Sequence, residues 1–175
     1  MNTFLVSELI VRFQELVGAV PAVVQPLIIA VAAAVPFIEG EVSSMIGVLG
    51  GVNPVVAAAA GMAGNFLCVL GVVMVTARAR SAVLVRVGGG GDEPAESPRP
   101  QSKGRQRFAR LLDRYGVPGA SLLGPLALPT QLTSATLVAS GVSASGVLVW
   151  QAAAIVLWTT VVTLSATGAV ALSGA

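Results

Sequence analysis

One apolar stretch constrains this chain more than any other feature. Between Val17 and Ala77 the only ionisable side chains are Glu39, Glu41 and the thiol of Cys68. A membrane-spanning helix needs about 20 apolar residues, so this stretch is too long for one span and must fold back or span again. An acidic side chain at bilayer depth costs roughly 2.5–3.5 kcal/mol on insertion scales. The two carboxylates are therefore not expected on a lipid-facing helix.

The acids lie in a segment that also breaks a helix. Pro36 and Gly40 flank them, and broken backbone at membrane depth is tolerated only where protein or a wet cavity satisfies its polar groups. We therefore predict a re-entrant hairpin. In this hairpin residues 20–35 enter the membrane, residues 36–41 form a polar tip and residues 42–52 return.

Composition supports a membrane location. Hydrophobic residues make up 55% of the chain and charged residues 10%, whereas soluble domains carry about 25% charged residues. The chain has no His, which removes the commonest metal ligand and the usual general base near neutral pH. No catalytic set, metal-ligand spacing or nucleotide-binding loop is recognisable. We therefore expect an integral membrane protein that is not an enzyme and uses no cofactor or metal.

Two helices in the first half have distinct patterns. Residues 4–17 place Glu8 and Arg12 at the favourable i,i+4 spacing on one face, which predicts an amphipathic helix at the membrane interface. A short frayed terminus is the alternative. Residues 54–77 form an uncharged span with rows of small residues that allow close helix packing. Asn65 lies near its middle, where it serves either an interhelical hydrogen bond or transport.

The positive charge is concentrated in one loop. Nine of the ten basic residues lie between Arg78 and Arg114. The positive-inside rule makes loop 78–115 cytoplasmic, and its Pro- and Gly-rich part is too polar to order itself. Anionic lipid head groups are a nearer partner than nucleic acid for this cluster.

The second half repeats the pattern of the first. Residues 116–142 are uncharged but contain Pro125 and Pro129, and a straight helix does not tolerate such interruptions. A second re-entrant hairpin, with Pro129, Thr130 and Gln131 at its tip, accounts for them. An uncharged span follows at 146–172.

We therefore predict an all-α integral membrane protein with an inverted repeat of amphipathic helix, re-entrant hairpin and transmembrane helix. Residues 1–77 form the first repeat, 78–102 a basic, disordered cytoplasmic loop and 103–175 the second repeat. Inverted repeats with broken helices are a recurrent transporter design, and the broken segments indicate the site. We expect the two tips to meet, with Gln151 as a further partner. The predicted proton or substrate site comprises Glu39, Glu41, Asn65, Pro129, Thr130 and Gln131, and the predicted structural residues of the tips are Pro36, Gly40 and Pro125.

The acidic tip suggests proton coupling. On a turn or loop the carboxylates of Glu39 and Glu41 can approach each other, whereas on a regular helix they point about 200° apart. A close pair would titrate as a coupled unit and could load and release a proton near neutral pH. In the structural alternative, one Glu caps a helix beginning at Val42 and the other faces water.

Two segments carry a family resemblance. PFIEGE…GVNP…GN (Pro36–Asn65) and RYGVPG…PLALPT…ASG (Arg114–Gly141) resemble the small multidrug export protein family. More distantly they resemble the DedA superfamily of VTT-domain (SNARE-associated) membrane proteins, whose members carry a PF-x-x-GE and an RF-x-PG-x-R hairpin. The resemblance implies a small multi-pass efflux transporter in a bacterial inner membrane, and high Ala, Val and Gly with a single Lys are typical of GC-rich bacteria.

The resemblance leaves two functions open. DedA-type proteins are linked to flipping phosphorylated lipid carriers, and their second hairpin supplies arginines for the phosphate. Residues 124–141 contain no basic residue, which favours protons and a small hydrophobic or cationic solute. A DedA-like lipid-handling or scaffolding protein is the alternative. Membrane lipids are expected partners, and so few full spans are compatible with a homodimer.

Overall fold

The computed structural model describes residues 3–86, 116–126 and 128–174, and every regular element within them is a helix. The predicted all-α class is confirmed. The second repeat is predicted to begin with an amphipathic helix, and its residues 103–115 lie outside the described residues. The part of the predicted loop after residue 86 lies outside them as well. The helices are α1 (Thr3–Ala19), α2 (Gln25–Ala33), α3 (Glu39–Leu49), α4 (Pro54–Arg86), α5 (residues 116–123), α6 (Thr130–Ala139) and α7 (Ala144–Ser173), and a 3₁₀ turn (Gly124–Leu126) follows α5.

Two of these helices are long and apolar enough to cross a membrane. They are Pro54–Val83 within α4 and Ala144–Ser173, each of 30 residues, in agreement with the two predicted uncharged spans. Helix α4 runs beyond Ala77 to Arg86. The first residues of the predicted loop are therefore helical, because Arg and Ala, which dominate this segment, are good helix formers.

The chain divides into two compact units, and each boundary falls within a long helix. Unit 1 comprises Met1–Cys68 and Ala152–Ala175, and unit 2 comprises Val69–Gln151. Helices α4 and α7 therefore contribute residues to both units.

The core of unit 1 joins α1, α2, α3, the start of α4 and the end of α7. Its buried side chains come from all five helices: Val17, Ile29, Ile38, Ile46, Val48, Val52, Ala57 and Ala166. Helix α1 lies with Leu9 and Phe13 against this cluster. On its exposed side Arg12 donates to the Glu8 carboxylate at 2.7 Å. The predicted amphipathic helix is confirmed as a helix over Thr3–Ala19, and its location at a membrane interface stays a prediction.

Helices α2 and α3 form a hairpin that lies along α4. A Cβ on Gly64 would collide with the backbone of Ala30 in α2, and the Cys68 thiol donates to the Ala34 carbonyl at 3.4 Å. Helix α2 therefore advances along α4, after which α3 turns back toward the start of α4. With 9 and 11 residues, the two helices are only about 14 and 17 Å long, which is too short to span a membrane.

Unit 2 contains a second helix–connector–helix of the same design. In the first connector Val52 N–H donates to Gly47 O, and in the second Val142 N–H donates to Leu137 O, ninety residues later. Gly51 N–H donates to Val48 O, and ninety residues later Gly141 N–H donates to Val138 O. Gly51 and Gly141 both have a positive φ, 81° and 98°. These bonds form the Schellman pattern that ends a helix on a left-handed residue, so both connectors end one helix and start the next in the same way.

Candidate functional site

The break between α2 and α3 is strained. Phe37 and Glu39 have φ values of 74° and 51°, in the left-handed region that costs a non-glycine residue roughly 1–2 kcal/mol. Helix α2 ends at Ala33, and Pro36 restricts the residue before it. Such strain persists only where the surrounding structure fixes it, and it is frequent at functional sites.

The two acids lie in the first turn of α3. The helix begins at Glu39 rather than at Val42. The predicted C-terminal end of the tip, residue 41, is therefore wrong, because residues 39–41 are helical. The non-helical break covers residues 34–38. Residues two apart in a helix project about 200° from each other. Both acids therefore belong to a helix rather than to a loop, and the predicted approach of their carboxylates stays a prediction. The N-cap residue, Ile38, makes no side-chain capping bond, and the capping role of one of the acids stays a prediction.

Glu39 is buried and Glu41 is half-buried. Glu39 is 6% exposed, and Oε1 of Glu41 is buried with no hydrogen-bonding partner among the described residues. The positive end of the helix dipole favours carboxylates in a first turn. Unit 1 thus holds two separate acids at the start of one short helix.

Gly40, between the acids, lies where three helices meet. A Cβ at this position would collide with Oγ1 of Thr159 in α7 and would lie 3.4 Å from the Gly61 carbonyl in α4. A Cβ on Gly61 would lie 2.9 Å from the Gly40 carbonyl and 3.0 Å from Ser43 Oγ. Gly40 was predicted as a tip residue, and its function in the structure is to let α3 pack directly against α4 and α7.

Hydroxyl groups that the sequence reasoning missed line this junction. The Ser44 hydroxyl donates to the Glu41 carbonyl at 2.9 Å. Thr163 donates to the Thr159 carbonyl at 2.6 Å and lies 2.9 Å from Ser44 Oγ. All three side chains are buried, and Thr159 Oγ1 has no hydrogen-bonding partner among the described residues. The one available signal was that Ser43 and Ser44 follow the acids at helical spacing.

Asn65, also in unit 1, is completely buried on α4, one turn beyond Gly61. Full burial is what both of its predicted roles require. Pro36, by contrast, is exposed and lies in the break itself.

The predicted tip residues of the second hairpin all lie in unit 2. Pro129 is the N-cap of α6, with φ −55° and ψ 144°, and Pro125 lies in the 3₁₀ turn. Thr130 and Gln131 form the first turn of α6 and are 0% and 5% exposed. As in the first hairpin, polar residues predicted for a tip belong to the first turn of the following helix. The predicted meeting of the two tips stays a prediction.

Unit 2 also contains three buried, uncharged polar side chains. Ser121, Thr133 and Gln151 are all 0% exposed. Neither hydroxyl oxygen nor either polar atom of the Gln151 amide has a hydrogen-bonding partner in the described part of the chain. Sequence reasoning proposed Gln151 only as an additional partner and missed Ser121 and Thr133, because single hydroxyl residues in apolar helices are common.

Among the described residues no group of three His, Cys, Asp or Glu side chains could hold a metal ion. Comparison with known proteins gave no match: no protein-family model, curated protein or solved structure matches this chain.

Proposed function

We propose that this chain is a small multi-pass transporter of the bacterial cell membrane that couples the export of small hydrophobic or cationic solutes to protons. The observation that carries the proposal is the pair of acids in the strained first turn of a helix too short to cross a membrane, where Glu39 is buried and Glu41 is half-buried.

The surface of the long helices supports a membrane location. Only 28% of the apolar window in α4 and 33% of that in α7 is buried, whereas the core helix of a soluble protein would be mostly covered. The uncovered side chains are large and apolar and include Val55, Leu67, Val75, Val149, Val156 and Leu164. Lipid is the solvent that such a surface requires.

Contacts within each unit support oppositely directed spans. In unit 1, Ala57 near the start of α4 shares a core with Ala166 near the end of α7. In unit 2, the guanidinium of Arg80 near the end of α4 lies beside Gly141, just before α7. In both units the start of one long helix is thus close to the end of the other, which is the arrangement that an inverted repeat needs.

The chemistry of the acids supports proton coupling. Burial away from water disfavours the charged form of a carboxyl group, so such a group takes up a proton more readily than an exposed one. A carrier can use this property by binding a proton from one side and releasing it to the other. The resemblance to the small multidrug export family agrees with this reading. The absence of basic residues from the sequence after Arg114 argues against a phosphate ligand in the second hairpin.

The test is flux in proteoliposomes. Purified protein is reconstituted with an imposed pH gradient, and uptake of tetraphenylphosphonium, a hydrophobic cation, is measured together with internal pH. We expect gradient-dependent uptake that Glu39→Gln and Glu41→Gln each reduce by about tenfold or more, since either change removes a proton-binding group. Glu15→Gln is the matched control because Glu15 is exposed on α1, and it should retain full uptake.

Wild-type flux in the double variant would show that the acids are structural. Movement of a labelled phospholipid without cation flux would instead support the lipid-handling alternative.

Orientation is tested separately. A cysteine placed between Asp92 and Gly104 in a Cys68→Ser background should be shielded from impermeant thiol reagents in intact cells and react after lysis, since the positive-inside rule puts this loop in the cytoplasm. Labelling from outside would reverse the proposed topology.

A further inference from the structure

Several buried polar atoms of unit 2 have no hydrogen-bonding partner among the described residues. Gln151 is fully buried on α7, with neither its amide nitrogen nor its amide oxygen bonded to the described protein. Burying an amide without partners is costly, and most buried polar groups in proteins are hydrogen-bonded. Gln151 therefore points to a ligand that completes its hydrogen bonds.

Two further unsatisfied hydroxyls belong to the same unit. The backbone at Gly124 is pressed against Thr133, since a Cβ there would lie 3.3 Å from Thr133 Oγ1. Ser121 precedes Gly124 by three residues, which is about one helical turn. It therefore lies on the same side as Gly124 of the segment formed by α5 and the 3₁₀ turn. Both hydroxyls accordingly border the space between α5 and α6.

The repeat of the connector indicates the position of Gln151 relative to α6. Gln151 and Thr133 occupy the positions that Gly61 and Ser43 hold in unit 1, ninety residues earlier. In unit 1 these two positions are in contact, with Ser43 Oγ 3.0 Å from a Cβ built on Gly61. The same geometry in unit 2 would direct the Gln151 side chain toward Thr133, so that the three unsatisfied side chains would share one site.

We propose that Ser121, Thr133 and Gln151 form a binding site for an uncharged hydrogen-bonding group, an amide or a hydroxyl, of the transported solute. An amide and two hydroxyls offer both donors and acceptors. The sequence has no Asp, Glu, Lys, Arg or His side chain after Arg114. The guanidinium of Arg80 lies beside Gly141, the connector residue that precedes Gln151 by ten positions in the sequence. The described residues of unit 2 include no acidic side chain, and Ser121, Thr133 and Gln151 carry no charge themselves, so the recognised group is neutral. The solute part of this inference rests on the proposed transport function.

The experiment uses three small probes of the same shape and different charge: acetamide, acetamidinium and acetate. Saturation-transfer NMR is recorded with each probe on the full-length protein in detergent micelles, with empty micelles as blank. We expect an acetamide signal at least about tenfold above that of either ion, because one unmatched hydrogen-bonding group is enough to produce such a ratio.

Matched variants locate the signal. Gln151→Met and Thr133→Val should abolish the acetamide signal, and Thr133→Ser, which keeps the hydroxyl, should retain it. Thr136→Val is the control, since the Thr136 hydroxyl lies on the same helix but is exposed and donates to the Leu132 carbonyl at 2.8 Å. Melting temperatures of all variants verify that they are folded.

Equal signals from the three probes, or an acetamide signal that survives Gln151→Met, would overturn the proposal. No acetamide signal together with a lower melting temperature in Gln151→Met would assign the site to bound water and likewise overturn the solute site. Acetamide binding without tetraphenylphosphonium flux would uphold the site and reject the transport function, and flux without acetamide binding would do the reverse.

Discussion

The two helix–connector–helix segments have the same backbone and different chemistry. The connectors before α4 and α7 make the same hydrogen bonds, but α3 begins Glu-Gly-Glu whereas the corresponding position of α6 reads Pro-Thr-Gln. The long helices also differ at equivalent positions, since α4 has Gly61 and α7 has Gln151. The same connector is therefore compatible with an acidic first turn in one segment and an uncharged first turn in the other.

The two segments also differ in how closely the backbones approach. In unit 1 glycines bring backbone against backbone, and the two described non-glycine residues with a positive φ, Phe37 and Glu39, are both there. In unit 2 the buried side chains of Ser121, Thr133 and Gln151 have polar atoms without a hydrogen-bonding partner among the described residues. One unit is therefore strained and acidic, and the other is polar and uncharged.

The largest expected effect breaks the close packing of unit 1. Gly64→Ala places a methyl group into the backbone of Ala30, which cannot move aside as a flexible side chain can. We expect a loss of about 1–3 kcal/mol or more in the free energy of unfolding, measured by denaturant titration in detergent. Gly71→Ala on the same helix has nothing within 4 Å of the new Cβ and should be neutral or stabilising by up to about 1 kcal/mol. Equal effects of the two substitutions would mean that α2 does not touch α4 at Gly64.

A smaller effect tests whether the connectors are equivalent. Gly51→Ala and Gly141→Ala each force alanine into a left-handed conformation, at about 1–2 kcal/mol. At Gly141 the new Cβ also lies 2.9 Å from Nη2 of Arg80, but this flexible side chain can withdraw. We therefore expect similar losses in unfolding free energy, and Arg80→Ala should leave the Gly141→Ala penalty nearly unchanged. A much larger loss at Gly141 would show that Arg80 is fixed there.

The smallest effect concerns the helix caps. Val55 N–H donates to Oδ1 of Asn53 at 2.9 Å, and Gly146 N–H donates to Oγ of Ser143 at 3.3 Å. Removing such a cap costs about 0.5–2 kcal/mol. Because its bond is shorter, Asn53→Ala should lower the melting temperature more than Ser143→Ala. The reverse order would show that cap geometry does not distinguish the two connectors.

Local features of the chain were predictable. Hydropathy gave the two long helices, and Pro and Gly gave the positions of both breaks to within a few residues, because both signals act over one or two helical turns. The Glu8–Arg12 pair was also predictable, since i,i+4 spacing brings such residues together in any helix. The start of α3 was misplaced by three residues, because the Glu39 backbone adopts a positive φ that only its surroundings can impose.

The sequence by itself determined that this protein is helical, that two of its helices are long and apolar, and that each of these helices follows a broken segment with polar residues. Only the tertiary structure decided which groups meet. Ser44 and Thr163 are 119 residues apart, and their hydroxyl oxygens lie 2.9 Å from each other. Gly40 is required by contacts with α4 and α7 rather than by its own conformation. Such contacts depend on how helices pack across long sequence separations, and packing is sensitive to single methyl groups in a way that no local pattern records.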